Sequence, residues 1–396
     1  MKDVCYVHQD AVPATTPSAL QLLQMLDGFG RAGAATTLIA PRAVLAPETL
    51  LGHALSPNVT LDAVPELRKR WYFPFASYKL VHLALRRRIA ARRPPLLYAR
   101  NLKLAEALLR AFPDIPLFFE THELFAASFA ESHHDLASGE AQRKLQALQR
   151  REAFVYGRAA GIVALTGALA DDIRGHYGIK TPLLVAHDAV DETVLGLPVP
   201  SAPDGEPVWL YLGSLHPWKG VDTLVEALPH CRRGTLWIAG GKSAEIARLE
   251  ARAAALGTAA RLRCLGAVPP AQRFSVIAQA TACLLPSTAT RIGSRYTSPL
   301  KLFEYLALGK PVVAADLPAL REVVADGENA LLVPVGDPRA IAAALDRLAT
   351  DPALARRMGA ANRQLAARYT WTSRAAAILD FMNTTPGRQL GRETLQ

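Results

Sequence analysis

Cysteine is scarce in this chain. The four present, Cys5, Cys231, Cys264 and Cys283, lie far apart and form no C-x-x-C pair. That argues against a zinc site or a disulfide framework, and makes a reducing cytosol the expected compartment. No run approaches the ~20 apolar residues that cross a bilayer. The opening MKDVCYVHQD has early acidic residues and no apolar core, so it is not expected to act as a signal peptide. Glycine is missing between His8 and Ser18, where a dinucleotide pyrophosphate needs close backbone approach, and a dehydrogenase loses support. Gly240-Gly241-Lys242-Ser243 ends like a Walker A loop, but Leu236 stands where the first glycine belongs, so ATP hydrolysis is not expected. No Ser-His-Asp or Cys-His arrangement has recognisable context, and no Asp-x-Asp motif stands out. His133-His134 has no further ligands in helical register, so no metal site is expected.

What is there reads as a packed α/β protein. Half of the residues are hydrophobic, which argues against disorder. At 396 residues the chain exceeds one ordinary core, and two domains are expected. The net charge of +10 invites an anionic partner. It is concentrated between Glu66 and Lys103, where eleven basic residues face one acid. Nucleic acid, an anionic membrane surface and an anionic substrate all suit that charge. Nucleic acid is the weakest of the three, since no recognised binding module carries the charge. A helix expected over 76–92 has Leu80, Leu83, Leu85 and Ile89 as its apolar residues, beside Lys79, Arg86, Arg87 and the run Trp71-Tyr72-Phe73-Pro74-Phe75. The basic stretch from Arg68 to Arg93 therefore suits anionic lipid, at about 1 kcal/mol per basic residue. A core-facing helix with a solvated basic face explains it equally.

Strand and helix signals alternate along the chain. A strand at 4–8, a helix at 19–30 capped by Thr16-Pro17-Ser18, and a strand at 35–40 form a Rossmann-type half. Further strands are expected at 58–64, 96–99, 116–120, 161–165 and 183–186. A mobile loop is expected at 126–139, before a long helix at 140–156. Asp171-Asp172 reads as dipole complementarity inside a helix. The proline-rich segment PVPSAPDGEP, 198–207, is the clearest boundary signal. A second Rossmann-like half follows, with strands at 208–212, 235–239, 261–265 and 282–286. Helices begin at Pro338 and Pro352, a last one spans 371–382, and the tail after Thr384 is expected to fray.

The stretch 298–334 reads as helix, strand, helix, strand. Pro299 suits a first helical turn. Leu302, Phe303, Leu306 and Ala307 give one apolar face, and Gly309 with Pro311 ends the helix. Strands are expected at 312–315 and 331–333, with a helix beginning at 320–324. Glu304 stands out. A carboxylate near a helix start, behind a strand end, is where open α/β sheets hold nucleotide hydroxyls; an i,i+3 partner for Lys301 on a solvated face is the plainer alternative. Lys219, in GSLHPWKG, follows a strand end and a glycine turn, where a cation can hold a diphosphate or simply face solvent. His122, in Phe-Glu-Thr-His-Glu, suits a base or a sugar-hydroxyl ligand, or a helix cap. Arg100, at another strand end, suits an anionic acceptor or a diphosphate.

These residues carry a resemblance. The stretch at 298–334 is similar to the C-terminal signature of retaining glycosyltransferases of the GT-B fold, in glycosyltransferase family 4. The family pattern is Glu, seven residues, Glu, a helix ending in Gly, Lys-Pro-Val-Val, then Glu-Val-Val-x-x-Gly. Glu304 is the second Glu, and Tyr296 stands where the first falls. GSLHPWKG resembles the family's Gly-Arg-x-x-x-x-Lys-Gly, with Lys219 kept and Ser214 in place of the Arg; Arg291 or Arg295 is a candidate for the missing charge. The segment from His187 to Asp191 resembles the family's domain crossing.

The resemblance implies an α/β, GT-B fold, two Rossmann-like domains facing across a cleft. It divides the chain into an acceptor domain, 1–190, a nucleotide-sugar-binding domain, 191–369, and a helix over 370–396 that packs back toward the first. It implies a metal-independent hexosyltransferase that needs no cofactor. The sugar would move from a nucleotide diphosphate sugar to a glycan, lipid-linked or small-molecule acceptor with retention of configuration. Cytoplasmic cell-envelope polysaccharide biosynthesis, peripheral on the inner membrane face, is the implied setting. The catalytic residues would be His122 and Lys219. Donor binding would fall to Gly213, Ser214, Lys219, Gly240, Gly241, Arg291, Arg295, Tyr296, Ser298, Pro299, Leu300, Lys301 and Glu304, and acceptor binding to Arg100 and His122. In the family the first Glu touches the donor sugar, so Tyr296 implies altered sugar recognition. A nucleotide-sugar epimerase on the same fold is one alternative. A non-catalytic partner subunit, suggested by Tyr296 and Ser214, is another.

Overall fold

The computed structural model describes residues 3–12, 16–42, 45–66, 78–133, 135–198 and 205–385. Arg68, Lys69 and Arg70, the aromatic run at 71–75, His134, most of the 198–207 boundary and the tail from 386 lie outside the described residues. The chain divides into two units, Met1–His187 with Trp371–Gln396, and Asp188–Thr370.

The first unit is built on seven parallel strands: β1 (Val4–Val7), β2 (Thr36–Pro41), β3 (Val59–Val64), β4 (Leu97–Ala99), β5 (Leu117–Thr121), β6 (Gly161–Ala164) and β7 (Leu183–Val185). Their order is β3-β2-β1-β4-β5-β6-β7. Every residue of β1, β4, β5 and β6 is buried, which is why these strands read as continuous apolar runs. The order reverses between β1 and β4, and such a switch point opens a crevice at the carboxyl ends of the strands. The helix Trp371–Thr384 packs on the helix Pro17–Arg31. Their contact is close enough that a Cβ on Gly28 would lie 2.6 Å from the Trp371 carbonyl oxygen.

Three expectations for this unit are corrected. The segment expected as a mobile loop contains a helix, Phe125–Ser132. Leu124 before it has no capping side chain, so local signals are weak. Its free N–H groups are satisfied by the buried Glu152, which accepts from Phe125 at 2.6 Å and Ala126 at 3.3 Å. Asp171 and Asp172 lie beyond the first turn of Gly167–Tyr177, whose cap is Thr166; Asp171 pairs with Arg174 at 3.4 Å. In the helix Lys79–Arg92 the buried apolar positions are Val81, Leu85 and Ile89, whereas Leu80 and Leu83 are exposed.

The second unit has six parallel strands: β8 (Val208–Leu212), β9 (Thr235–Ala239), β10 (Leu262–Gly266), β11 (Ala282–Leu285), β12 (Val312–Ala315) and β13 (Ala330–Val333). Their order, β10-β9-β8-β11-β12-β13, places the switch point between β8 and β11. The helix Leu300–Ala307 follows β11 and is buried from Leu302 to Ala307. Pro299 is its N-cap, in extended conformation, one residue before the turn expected for it. Gly309 ends the helix at φ +62°, a left-handed conformation that glycine adopts freely. The lysine of the Lys-Pro-Val-Val run is structural. Lys310 is 3% exposed, and its Nζ donates to the carbonyls of Ala278 at 2.7 Å and Ala280 at 2.9 Å. The helix begun after β12 is short, Pro318–Arg321, and stops before the expected Val324.

Candidate functional site

In the second unit the carboxyl end of β8 runs through Gly213 and Ser214 into a single 3-10 turn, Pro217–Lys219. That turn is clamped to the end of β11. The N–H and Oγ of Thr288 donate to the Trp218 carbonyl at 2.9 and 3.1 Å. Gly220 has φ +68°, and a Cβ there would sit 2.0 Å from the Pro286 carbonyl oxygen. Only glycine fits, which fixes Lys219 beside the switch point. The Lys219 ammonium lies 3.6 Å from the centre of the Trp218 ring. Burial pushes its pKa down to about 8.

From the other side of the switch point, Lys301 reaches the same turn. Its Nζ lies 3.9 Å from the Tyr211 ring centre and 3.0 Å from the Cβ position of Gly213. Burial holds Lys301 well below the ordinary lysine range; Lys219 lowers it further, while Glu304 opposes the shift. Glu304 is 8% exposed, which overturns the solvated-face alternative. Its Oε1 accepts from Arg273 Nε at 2.7 Å. Burial raises its pKa, against the opposing charges of Arg273 and Lys301.

The remaining expected donor residues are spread around this centre. Gly240 packs backbone to backbone, since a Cβ on it would lie 2.1 Å from the Gly213 carbonyl oxygen. Gly241 precedes the helix Ser243–Ala255, at whose start the Lys242 N–H donates to the Glu245 carboxylate at 2.8 Å. Arg291, exposed, precedes a π-helical turn, Ile292–Tyr296, and Arg295, half-buried, lies within it. Tyr296 is 1% exposed. Buried Ser298 accepts the Asp188 N–H at 2.8 Å. Leu300 opens the helix that carries Glu304.

In the first unit, His122 follows the end of β5. Its Nε2 lies 2.7 Å from Oε1 of Glu120. Glu120 also accepts from the Tyr98 hydroxyl and lies 3.3 Å from Arg374. Burial acts to raise the Glu120 pKa, but Arg374, His122 and Tyr98 outweigh it and hold the carboxyl well below its usual range. At the end of β1, burial and Arg100 push His8 down to about 3, against the pull of Asp10. Its buried Nδ1 has no hydrogen-bond partner. Arg100, expected to grip an anion, donates to Gln21 Oε1 at 3.1 Å and to the Ser18 carbonyl at 2.6 Å.

Sequence reasoning missed Arg273, Tyr211 and the Glu120–Arg374 pair. Arg273 and Glu304 are 31 residues apart, and Glu120 and Arg374 are 254 apart, so no local spacing signals either pairing. Glu120 stands in the same short motif as His122 and was the one legible clue.

The comparisons agree with this architecture. The pattern described as Glycosyltransferase Family 4 matches residues 19–194, and the one described as Glycosyl transferases group 1 matches 206–351. A D-inositol 3-phosphate glycosyltransferase of Xylanimonas cellulosilytica is 31% identical over 300 residues, 70% of this chain and 69% of that one. A similar enzyme of Streptomyces bingchenggensis is 30% identical, over 58% of this chain and 54% of its own. A phosphatidyl-myo-inositol mannosyltransferase of Mycobacterium leprae is 34% identical, over 44% and 46%. The matched regions thus span about half the length of the last two. Among solved structures, sucrose-phosphate synthase from Thermosynechococcus elongatus superposes with a TM-score of 0.74 at 19% identity, over 97% of this chain and 98% of that one. HepE of Anabaena, solved with UDP, gives 0.72 at 18% identity, over 96% and 99%. These two likenesses show the fold, which is the α/β GT-B type. With two sheets in Rossmann order and both halves matched, the chain belongs to glycosyltransferase family 4.

Proposed function

We propose that this chain transfers a sugar from a nucleotide diphosphate sugar to an acceptor, with retention of anomeric configuration. The observation that carries this reading is Lys219, a desolvated cation clamped at the β8–β11 switch point, with the buried carboxylate of Glu304 on the adjoining helix. Departure of a nucleoside diphosphate leaves negative charge, and a preorganised ammonium beside it stabilises it strongly. Glu304 accepts the ribose hydroxyls, steadied by Arg273. The turn at Gly240 and Gly241 lies near the base. The diphosphate assists deprotonation of the acceptor, and the positive charge on it comes from side chains rather than from a resident metal. The acceptor belongs to the first unit, where His122, held by Glu120, meets a sugar hydroxyl, and Arg100 lines the end of β4.

A thermal-shift screen with UDP, GDP and ADP sugars, followed by product analysis with labelled donors, tests this. A ligand stabilises the state it binds, by about 2.7 kcal/mol at a hundredfold excess over Kd. One nucleotide sugar should raise Tm and release nucleoside diphosphate when acceptor is present. An altered sugar without nucleotide release would instead make the chain an epimerase; no binding at all would make it a non-catalytic subunit. In the same assay Glu304→Gln should weaken the preferred nucleotide about tenfold, the scale of one charged hydrogen bond. Wild-type affinity would remove Glu304 from the site.

The helix Lys79–Arg92 supports a membrane-facing role for the first unit. Lys79, Arg86 and Arg87 are exposed beside Leu80 and Leu83, which are 36% and 43% exposed. Basic groups next to exposed apolar side chains suit an anionic lipid surface. The protein should co-sediment with vesicles containing phosphatidylglycerol and remain free of phosphatidylcholine vesicles. Equal partition between the two would sink the idea. Among the described residues no helix is long and apolar enough to cross a membrane.

A further inference from the structure

We propose that Lys301 is the second cation of the diphosphate site, supplying from the helix after β11 the charge that Ser214 lacks on the turn after β8. The inference rests on the donor reading above and deepens it.

Position comes first. The Lys301 ammonium stands 3.0 Å from the Cβ position of Gly213, the neighbour of Ser214. Tyr211 supports both sides of this contact. Its ring lies under the ammonium at 3.9 Å, and its hydroxyl donates to the Ser214 carbonyl at 2.6 Å. Gly213, at φ +143°, leaves the space the ammonium occupies. A charge carried on residue 214 in the family pattern is here delivered to the same turn from a different element.

Energetics point the same way. Lys301 meets this turn close to a second lysine, Lys219, whose charge disfavours its own. The nearby carboxylate does not resolve the conflict, because Glu304 gives its Oε1 to Arg273 at 2.7 Å. Two half-buried ammonium groups brought to one turn from different elements, with an aromatic ring beneath each, cost stability until an anion arrives. A diphosphate offers charge enough for both. The titratable and charged groups facing Lys301 are Lys219, Glu304 with its partner Arg273, and Tyr211. A lysine clamp also behaves unlike the arginine it replaces. Arginine stays charged at every working pH, whereas these lysines lose their charge as pH rises. Diphosphate binding in mildly alkaline solution therefore takes up protons.

The test uses the full chain and titration calorimetry. UDP, GDP and ADP are ranked first, and the tightest is compared with its own monophosphate and nucleoside. Lys301→Met keeps the packing on Tyr211 and removes the charge. It should weaken the diphosphate about 10- to 100-fold, the range of one charge-assisted hydrogen bond. The nucleoside should bind as to wild type, and Tm without ligand should be equal or higher. Proton uptake at pH 9 should fall. Adding Ser214→Arg to Lys301→Met should restore much of the diphosphate affinity. Unchanged diphosphate affinity in Lys301→Met would overturn the inference. So would an equal loss for nucleoside and diphosphate, which marks a merely structural role. Wild-type protein that binds none of the three diphosphates overturns the donor reading itself, and the inference with it.

Discussion

Lys219→Met should lower turnover by about 10²–10³-fold, the usual effect of removing one preorganised donor from a centre of developing charge, while leaving the fold intact. The fold is spared because the lysine does not hold the turn. Gly220 and the bonds from Thr288 to Trp218 do that. The pH dependence has a definite sign. Lys219 sits at about 8 in the folded chain, against about 10.4 when unfolded. Between those values the unfolded chain binds more protons, so folding becomes more favourable as pH rises from 8 to above 10. Below pH 8 the charged lysine works against folding, and Lys219→Met should match or slightly exceed the wild-type Tm at pH 7. Donor affinity runs the other way, weakening as pH rises past 8 in wild type and flattening in the variant. Stopped assays across pH 6.5–9.5, with melting curves on the same samples, read both. A variant that keeps wild-type turnover, or loses it only together with Tm, would remove Lys219 from the chemistry.

The fold was largely legible because its signals are local. Apolar runs such as Val312–Ala315 are buried strands inside parallel sheets, and Thr16, Asn101, Thr166 and Asp337 mark helix starts through their own caps. What failed was long-range. The helix Phe125–Ser132 was hidden because its cap, Glu152, is 27 residues away. The site was half legible. Glycine spacing marks Lys219, and Glu304 stands alone as an acid on an apolar helix, but neither fact shows that Arg273 neutralises Glu304 or that Lys301 turns back over Gly213. A charged residue's partner is set by packing between elements. Sequence spacing reports only neighbours within one element.

That gap matters most for Arg374, which no motif singles out. Its side chain is 3% exposed, as is that of Glu120. It donates to the carbonyls of His187 at 2.9 Å and Ala186 at 3.3 Å, and lies 3.3 Å from Glu120. The last helix is thus tied by one guanidinium to the end of the first unit's sheet. Arg374→Met should leave Glu120 charged and buried with no guanidinium beside it, at a cost of about 3–5 kcal/mol. For a unit of this size that corresponds to a fall in Tm of roughly 10 °C. Adding Glu120→Gln to Arg374→Met should recover a large part of the loss, because the penalty lies in the unpaired charge rather than in the missing contact. The acid limb carries the same signature. Glu120 is depressed in the folded chain, so its stabilising contribution is present above the usual carboxylate pKa and disappears as pH falls below it. Wild type should lose stability steeply on acidification, and Glu120→Gln should lose it less steeply. His122, proposed above to meet a sugar hydroxyl, gives the pair a bearing on the proposed reaction. Its Nε2 is held at 2.7 Å by this carboxylate, so Glu120→Gln should also lower turnover under conditions where the variant remains folded. Urea titrations of the single and double variants at pH 7 and at about pH 3, below the usual carboxylate pKa, decide the matter. Strict additivity of the two substitutions would mean that Arg374 and Glu120 act independently, and that the guanidinium ties the last helix through the His187 and Ala186 carbonyls without help from the carboxylate.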